Sequence, residues 1–219
     1  MHIMNKAKDP EIRITYDRAF FLFIAGSIIG VILEGLYTTA AKGTWENHVV
    51  SVFLPLNPLY GAGAVLLYIE NALLKVRSII VKAAILTFLS TILELLCGLF
   101  LRDRLGMRAW DYSGLFMNYD GLISLRFSIA WAAAAAAFCK ASPYIDKLLC
   151  RIRGRRIHML CIMLTILTLL DLSLAFASIT RWSRRHYGIA SESFIGNAID
   201  KAANDQWMEN RFVEWRFIL

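Results

Sequence analysis

The sequence predicts an all-α, polytopic membrane helix bundle, and three observations point to it. The chain of 219 residues is 58% apolar, with a mean hydropathy of +0.52. Only 19% of the residues are charged, too few to cover a soluble domain of this size. The apolar residues gather in five runs, each close to the roughly 20 residues a helix needs to cross a hydrocarbon core of about 30 Å. About five transmembrane helices are expected over 19–179. A cytoplasmic N-terminal segment, 1–18, precedes them and an amphipathic tail, 180–219, follows.

The first run, Ala19 to Ala41, is interrupted only by Glu34. It is long enough to be a permanent anchor that also targets the chain, and no cleavable signal peptide stands out. The second run, Val49 to Leu74, is not uniform. Pro55 and Pro58 each remove an amide donor and clash with the preceding turn. Val49 to Asn57 therefore reads as a broken or re-entrant entry, with Leu59 to Leu74 as the helix proper. A kinked ordinary helix is the alternative. Pro55, Asn57, Pro58, Tyr60 and Gly61 are candidates for a gate at this break. The third run, Ala83 to Leu101, carries Glu94; the fourth, Leu122 to Phe138, carries Arg126; the fifth, Ile157 to Ile179, carries Asp171.

Orientation follows from Lys and Arg. Thirteen of them flank the runs on one side: Lys6, Lys8, Arg13, Arg18, Lys75, Arg77, Lys82, Lys140, Lys147, Arg151, Arg153, Arg155 and Arg156. Lys42, Arg102, Arg104 and Arg108 are the four on the other side. The N-terminus is thus expected in the cytoplasm of a cell whose inner membrane holds the chain, and five crossings put the C-terminus outside. Arg181, Arg184 and Arg185 run against this rule. The tail from Ser191 to Leu219 is too polar to span. Its loose apolar stripe suits an interfacial helix along the headgroups, and packing on a second copy in a homo-oligomer is equally compatible.

The net charge of +7 does not indicate nucleic acid, because the basic residues flank apolar runs. No G-x-x-x-x-G-K-[ST] is present. Cys97, Cys139, Cys150 and Cys161 form no C-x-x-C pair and read as reduced, apolar-like thiols. His2, His48, His158 and His186 show no zinc-site spacing.

An ionisable residue inside the membrane is costly unless paired or hydrated. At about 1.5 Å per residue, Glu34, Glu94, Arg126 and Asp171 all fall roughly 3 to 6 Å from the midplane, on the side away from the cytoplasm. Three acids and one Arg leave an excess of negative charge. Either a carboxyl is protonated, or a cation fills the gap. A divalent cation at this carboxylate layer is one option, and no cofactor is certain. The loop between the third and fourth runs holds Trp110-Asp111-Tyr112-Ser113 and Asn118. It is expected to fold inward, aiming Asp111 at Arg126 or at a ligand. Glu46 and His48 can line the same mouth, although solvated loop residues are the plainer reading.

Glu34, Pro58-Leu59-Tyr60-Gly61-Ala62-Gly63, Glu94, Trp110-Asp111-Tyr112-Ser113, Asn118, Gly121 and Trp131 resemble the ABC-transporter type IV, CmpB-like family of bacterial integral membrane proteins. The resemblance covers about residues 20 to 180 and leaves out the tail. Where family members resemble N-R-G-F followed by G-P-x-x-P, this chain reads Asn47-His48-Val49-Val50 and Leu54-Pro55-Leu56-Asn57-Pro58. The resemblance implies a transport-type protein. The residues by themselves support a transporter or permease for a small cation, a proton-coupled solute or a lipid-like ligand. Two alternatives stand beside it: an intramembrane enzyme acting on a lipid or isoprenoid headgroup, and a non-catalytic scaffold subunit.

Overall fold

The structure, a computed structural model, describes residues 14–74 and 78–218. Lys6, Lys8, Arg13, Lys75 and Arg77, used above for orientation, lie outside the described residues. The described residues form seven helices and two small two-stranded sheets. Helices α1 (Tyr16–Lys42), α3 (Ile79–Leu105) and α5 (Arg155–His186) are long and apolar enough to cross a membrane. The all-α membrane bundle expected from composition is therefore the fold.

Helix α2 spans Pro58–Leu73. Its 16 residues cover about 24 Å, less than the hydrocarbon thickness. Asn57 is its N-cap and accepts from the Leu59 amide at 3.0 Å, while Pro58 takes the first helical position, where no donor is needed. The chain break thus lies before Pro58, and residues 44–57 are non-helical. Helix α4 (Leu125–Leu149) runs well past the end of the fourth apolar run and holds Pro143 inside it. Its N-cap is Ser124, whose hydroxyl accepts from the Phe127 amide.

Helices α1 and α2 pack at close range because their facing residues are small. A side chain at Gly61 would run into the Phe23 carbonyl and the Ser27 hydroxyl of α1, and one at Gly30 into the Tyr60 ring. Close backbone approach through small residues is how helices associate in lipid, where no hydrophobic effect drives them together. Tyr60 and Gly61 therefore sit in the α1–α2 seam. Leu67 of α2, Leu86 of α3 and Ala135 of α4 form one buried cluster, and Leu22, Tyr68 and Leu149 form another.

One end of the bundle, here termed the cap end, is closed by three segments. They are the 43–57 stretch, the loop after α3 and the tail. The loop after α3 carries strands β1 (Met107–Arg108), β2 (Asn118–Tyr119) and β3 (Ile123–Ser124), the last two paired as a hairpin. The tail holds α6 (Phe194–Ala202), α7 (Asp205–Arg211) and strand β4 (Arg216–Phe217), which pairs antiparallel with β1. Rather than lying free, the tail folds onto the ends of α3 and α5. Met208, Phe212 and Ala203 pack there with Leu105, Met107, Ile179 and Trp182. The three arginines that ran against the charge rule are explained in part by this docking. Arg181 grips Asp200 through Nε at 2.9 Å and Nη2 at 2.6 Å. Arg185 reaches Asp200 at 2.5 Å and Asp205 at 2.7 Å. Their charge is neutralised inside the cap.

Candidate functional site

Glu94 is the deepest acid at the cap end, with 5% of its surface exposed. Its carboxylate is held from two sides. The Tyr112 hydroxyl donates to Oε1 at 2.9 Å, and the Trp131 ring N–H donates to Oε2 at 3.1 Å. One donor comes from the loop and the other from α4, so a single side chain on α3 fastens three segments. The Tyr112 ring stacks on Phe127 at 4.3 Å between centroids. Burial, with the charges of Glu94 and Glu34 beside it, pushes the Tyr112 phenol well above its usual range, so it stays a donor.

The tryptophan-containing loop motif explains how Tyr112 gets there. Asp111 accepts from the Ser113 amide at 2.9 Å, a local turn that sends Tyr112 inward. The Tyr112 amide donates to Gly121 O at 2.8 Å, and Gly121 N–H donates to the Asn118 side-chain oxygen at 3.0 Å. Asn118 also donates to Ser113 O and Leu115 O. Gly121 has a φ of +67°, and a side chain there would meet Asp111 and Arg108. The Trp110 ring N–H donates to Leu122 O at 2.8 Å. Asp111, Ser113, Asn118 and Trp110 thus shape the loop, and Tyr112 alone of the motif reaches Glu94. Asp111 does not aim at Arg126; it faces Arg108 at 3.3 Å. Its carboxyl lies below the usual range, chiefly because the Ser113 amide donates to it.

Glu34 of α1 is a second acid toward this end of the bundle, and it is half-buried. Its Oε2 is buried and has no hydrogen-bond partner among the described residues. That oxygen faces Nδ1 of His48 at 3.5 Å. Burial lowers the pKa of His48, so the ring favours its neutral form. Beyond His48, Glu46 and Glu214 share the Lys42 ammonium at 2.9 and 2.6 Å. The hydrogen bond from Glu214 holds the Glu46 carboxyl low, while burial pushes that of Glu214 up. One ring nitrogen of His48 and one oxygen each of Glu46 and Glu214 lie within 4.8 Å of one another. They are the residues best placed to hold a metal.

The other two charges of the expected layer go elsewhere at the same end. Arg126, second residue of α4, is exposed and stands over the Tyr37 ring at 5.5 Å. A position so early in the helix lets its guanidinium stay out of the apolar interior. Asp171 accepts from three consecutive amides of the broken stretch: Val52 at 3.0 Å, Phe53 at 2.9 Å and Leu54 at 2.9 Å. Non-helical backbone survives beside a membrane bundle only where such groups satisfy it. Arg211 of the tail donates to Ser51 O and also feels the Asp171 charge. Pro55 lies in this stretch, and the Asn57 side chain donates to His48 O at 2.9 Å, linking the break to the histidine.

Sequence reasoning left out Trp131 and Glu214 as site residues. Trp131 was already among the residues carrying the family resemblance, so a signal existed. Glu214 lies in the tail, whose loose apolar stripe says nothing of its partners, and only the docking of that tail brings it to His48.

The family model described as "Putative ABC-transporter type IV" matches residues 21–176, most of the chain, and the chain belongs to this family. The matched stretch contains Glu34, Glu94, Tyr112, Trp131 and Asp171 and leaves out the tail. No curated protein and no solved structure matches the chain. By its family and its apolar helices, it is a membrane protein of transporter type.

Proposed function

We propose that this member of the family moves protons, or a small cation, through the acids Glu34 and Glu94. The observation that carries the reading is the environment of those two side chains. Glu94 is buried, Glu34 is half-buried with one oxygen that has no hydrogen-bond partner, and no Lys or Arg makes an ion pair with either among the described residues. Two carboxylates in that setting hold a proton or attract a cation, which is the property a relay needs. His48 extends the line from Glu34 toward the surface. With the N-terminus in the cytoplasm, as the Lys and Arg distribution predicts, the cap end faces outward and the relay opens there.

Proteoliposomes loaded with a pH-sensitive dye test this. An imposed potential should drive proton entry through the parent protein. Glu94→Gln, which keeps a carbonyl for Tyr112 and a similar shape, should fold normally and conduct nothing. Unchanged proton, sodium and potassium flux in that variant would remove the reading.

A second reading has one observation in its favour. Both Glu94 oxygens are satisfied, so the residue can serve purely to lock α3, α4 and the loop in register. Under that reading Glu94→Gln changes stability and there is no flux to lose.

A further inference from the structure

We propose that Glu46, His48 and Glu214 form a binding site for one divalent transition-metal ion, zinc foremost, which fastens the C-terminal tail to the α1–α2 connection. The three donors come from two segments far apart in sequence, Glu46 and His48 before α2 and Glu214 in the tail, and their ligand atoms lie within 4.8 Å of one another. Zinc binds imidazole nitrogen and carboxylate oxygen at about 2.0 to 2.2 Å, so each donor needs to move by about one ångström to close on an ion.

The state of His48 is the second, independent sign. Its Nε2 is buried and has no hydrogen-bond partner among the described residues, although a buried ring nitrogen ordinarily finds one. Its Nδ1 faces the Glu34 carboxylate at 3.5 Å. In metal-binding histidines a carboxylate stands behind one ring nitrogen while the other binds the ion, and Glu34 stands in that place here, without a hydrogen bond. Glu34 is thus a positioning residue that acts through His48.

Charge agrees with the proposal. Two carboxylates and a neutral imidazole offset a divalent cation. The Lys42 ammonium already contacts both glutamates, at 2.9 and 2.6 Å, so positive charge is favoured at this spot. Lys42 sits at the end of α1 with half of its side chain exposed. It can swing into solvent when a stronger cation arrives, and it competes with that cation until then. A soft nitrogen ligand selects zinc, cobalt or nickel over calcium and magnesium, which take oxygen donors.

The test is calorimetric titration of the full-length, detergent-solubilised, chelator-stripped protein with zinc chloride. One zinc per chain is expected, with calcium binding at least about tenfold weaker. His48→Ala and Glu214→Gln should each weaken zinc binding by about tenfold or more. Lys42→Gln should tighten it, a gain that a misfolded variant would not produce. Cobalt(II) bound in place of zinc should show visible bands that shift in Glu34→Gln, with Glu34→Asp restoring them. No single-site zinc binding in either the parent or Lys42→Gln would overturn the proposal. So would binding indifferent to His48→Ala, or calcium binding as tight as zinc. None of these readouts measures flux, so the metal site and the transport reading stand or fall separately.

Discussion

Glu94 and Asp171 are both acids on long apolar helices, and both are nearly buried at the cap end. Their partners differ in kind. Asp171 takes three backbone amides of residues 52–54, which have no helix or sheet of their own. Glu94 takes two side-chain donors, Tyr112 and Trp131. Amides of a broken segment are fixed and need an acceptor at all times, so Asp171 is a fastener. A tyrosine hydroxyl can rotate, so the surroundings of Glu94 tolerate a change of protonation. The same residue class at the same depth does two jobs, and the donors tell them apart.

The largest effect that can break this comparison is expected from Asp171→Ala. Three half-buried amides would lose their acceptor, at about 1 kcal/mol or more each before relaxation, and the loss should reach about 3 kcal/mol in detergent unfolding. Asp171→Asn should recover only part of it. If Asp171→Ala is as stable as the parent, the fastener assignment fails.

Next in size is Asp200→Ala, which leaves the buried Arg181 without its carboxylate. Breaking such a pair costs about 3 kcal/mol. The expected readout is rapid proteolysis between α5 and α6 with the bundle intact. The Arg181 hydrogen bonds are the chief reason that the Asp200 carboxyl titrates below its usual 3.8. A depressed carboxylate contributes stability that is present above the unfolded value and is lost as pH falls through the folded one. Tail protection should therefore hold at pH 5 and fail only on acidification below 3.8.

Smaller effects are expected at the other acid. Glu94→Gln should cost about 1 to 2 kcal/mol, since the amide still accepts from one donor but turns its NH2 toward the other, less than Asp171→Ala. Tyr112→Phe keeps the ring stacked on Phe127 and removes one hydrogen bond, worth about 1 kcal/mol. It should slow proton entry without unfolding the loop. Circular dichroism melts paired with the liposome assay separate these outcomes. A Tyr112→Phe protein with full flux would show that the hydroxyl is dispensable to the relay.

Much of this was legible along the chain. Hydropathy is a local property, so the class of fold and the long helices could be read from it. Pro58 and Asn57 carried the start of α2, because a missing amide and a capping side chain act on their own turn. Counting rise per residue put the acids a few ångströms from the midplane, in the half of the bundle away from the expected cytoplasmic side. Arg126 and Asp171 could not be assigned partners in that way. Depth along a helix says nothing of the direction in which a side chain points, and both turned to groups other than Glu34 and Glu94.

The sequence by itself determined a helical membrane bundle with a break before Pro58. Only the tertiary structure decided that Asp171 serves the break, that Tyr112 and Trp131 converge on Glu94, and that the tail brings Glu214 to His48. The physical reason is range. Apolar length, caps and prolines act within a turn or two of their own position. Which donor meets which carboxylate depends on how helices rotate against one another and where the tail docks, and packing across the whole chain sets both.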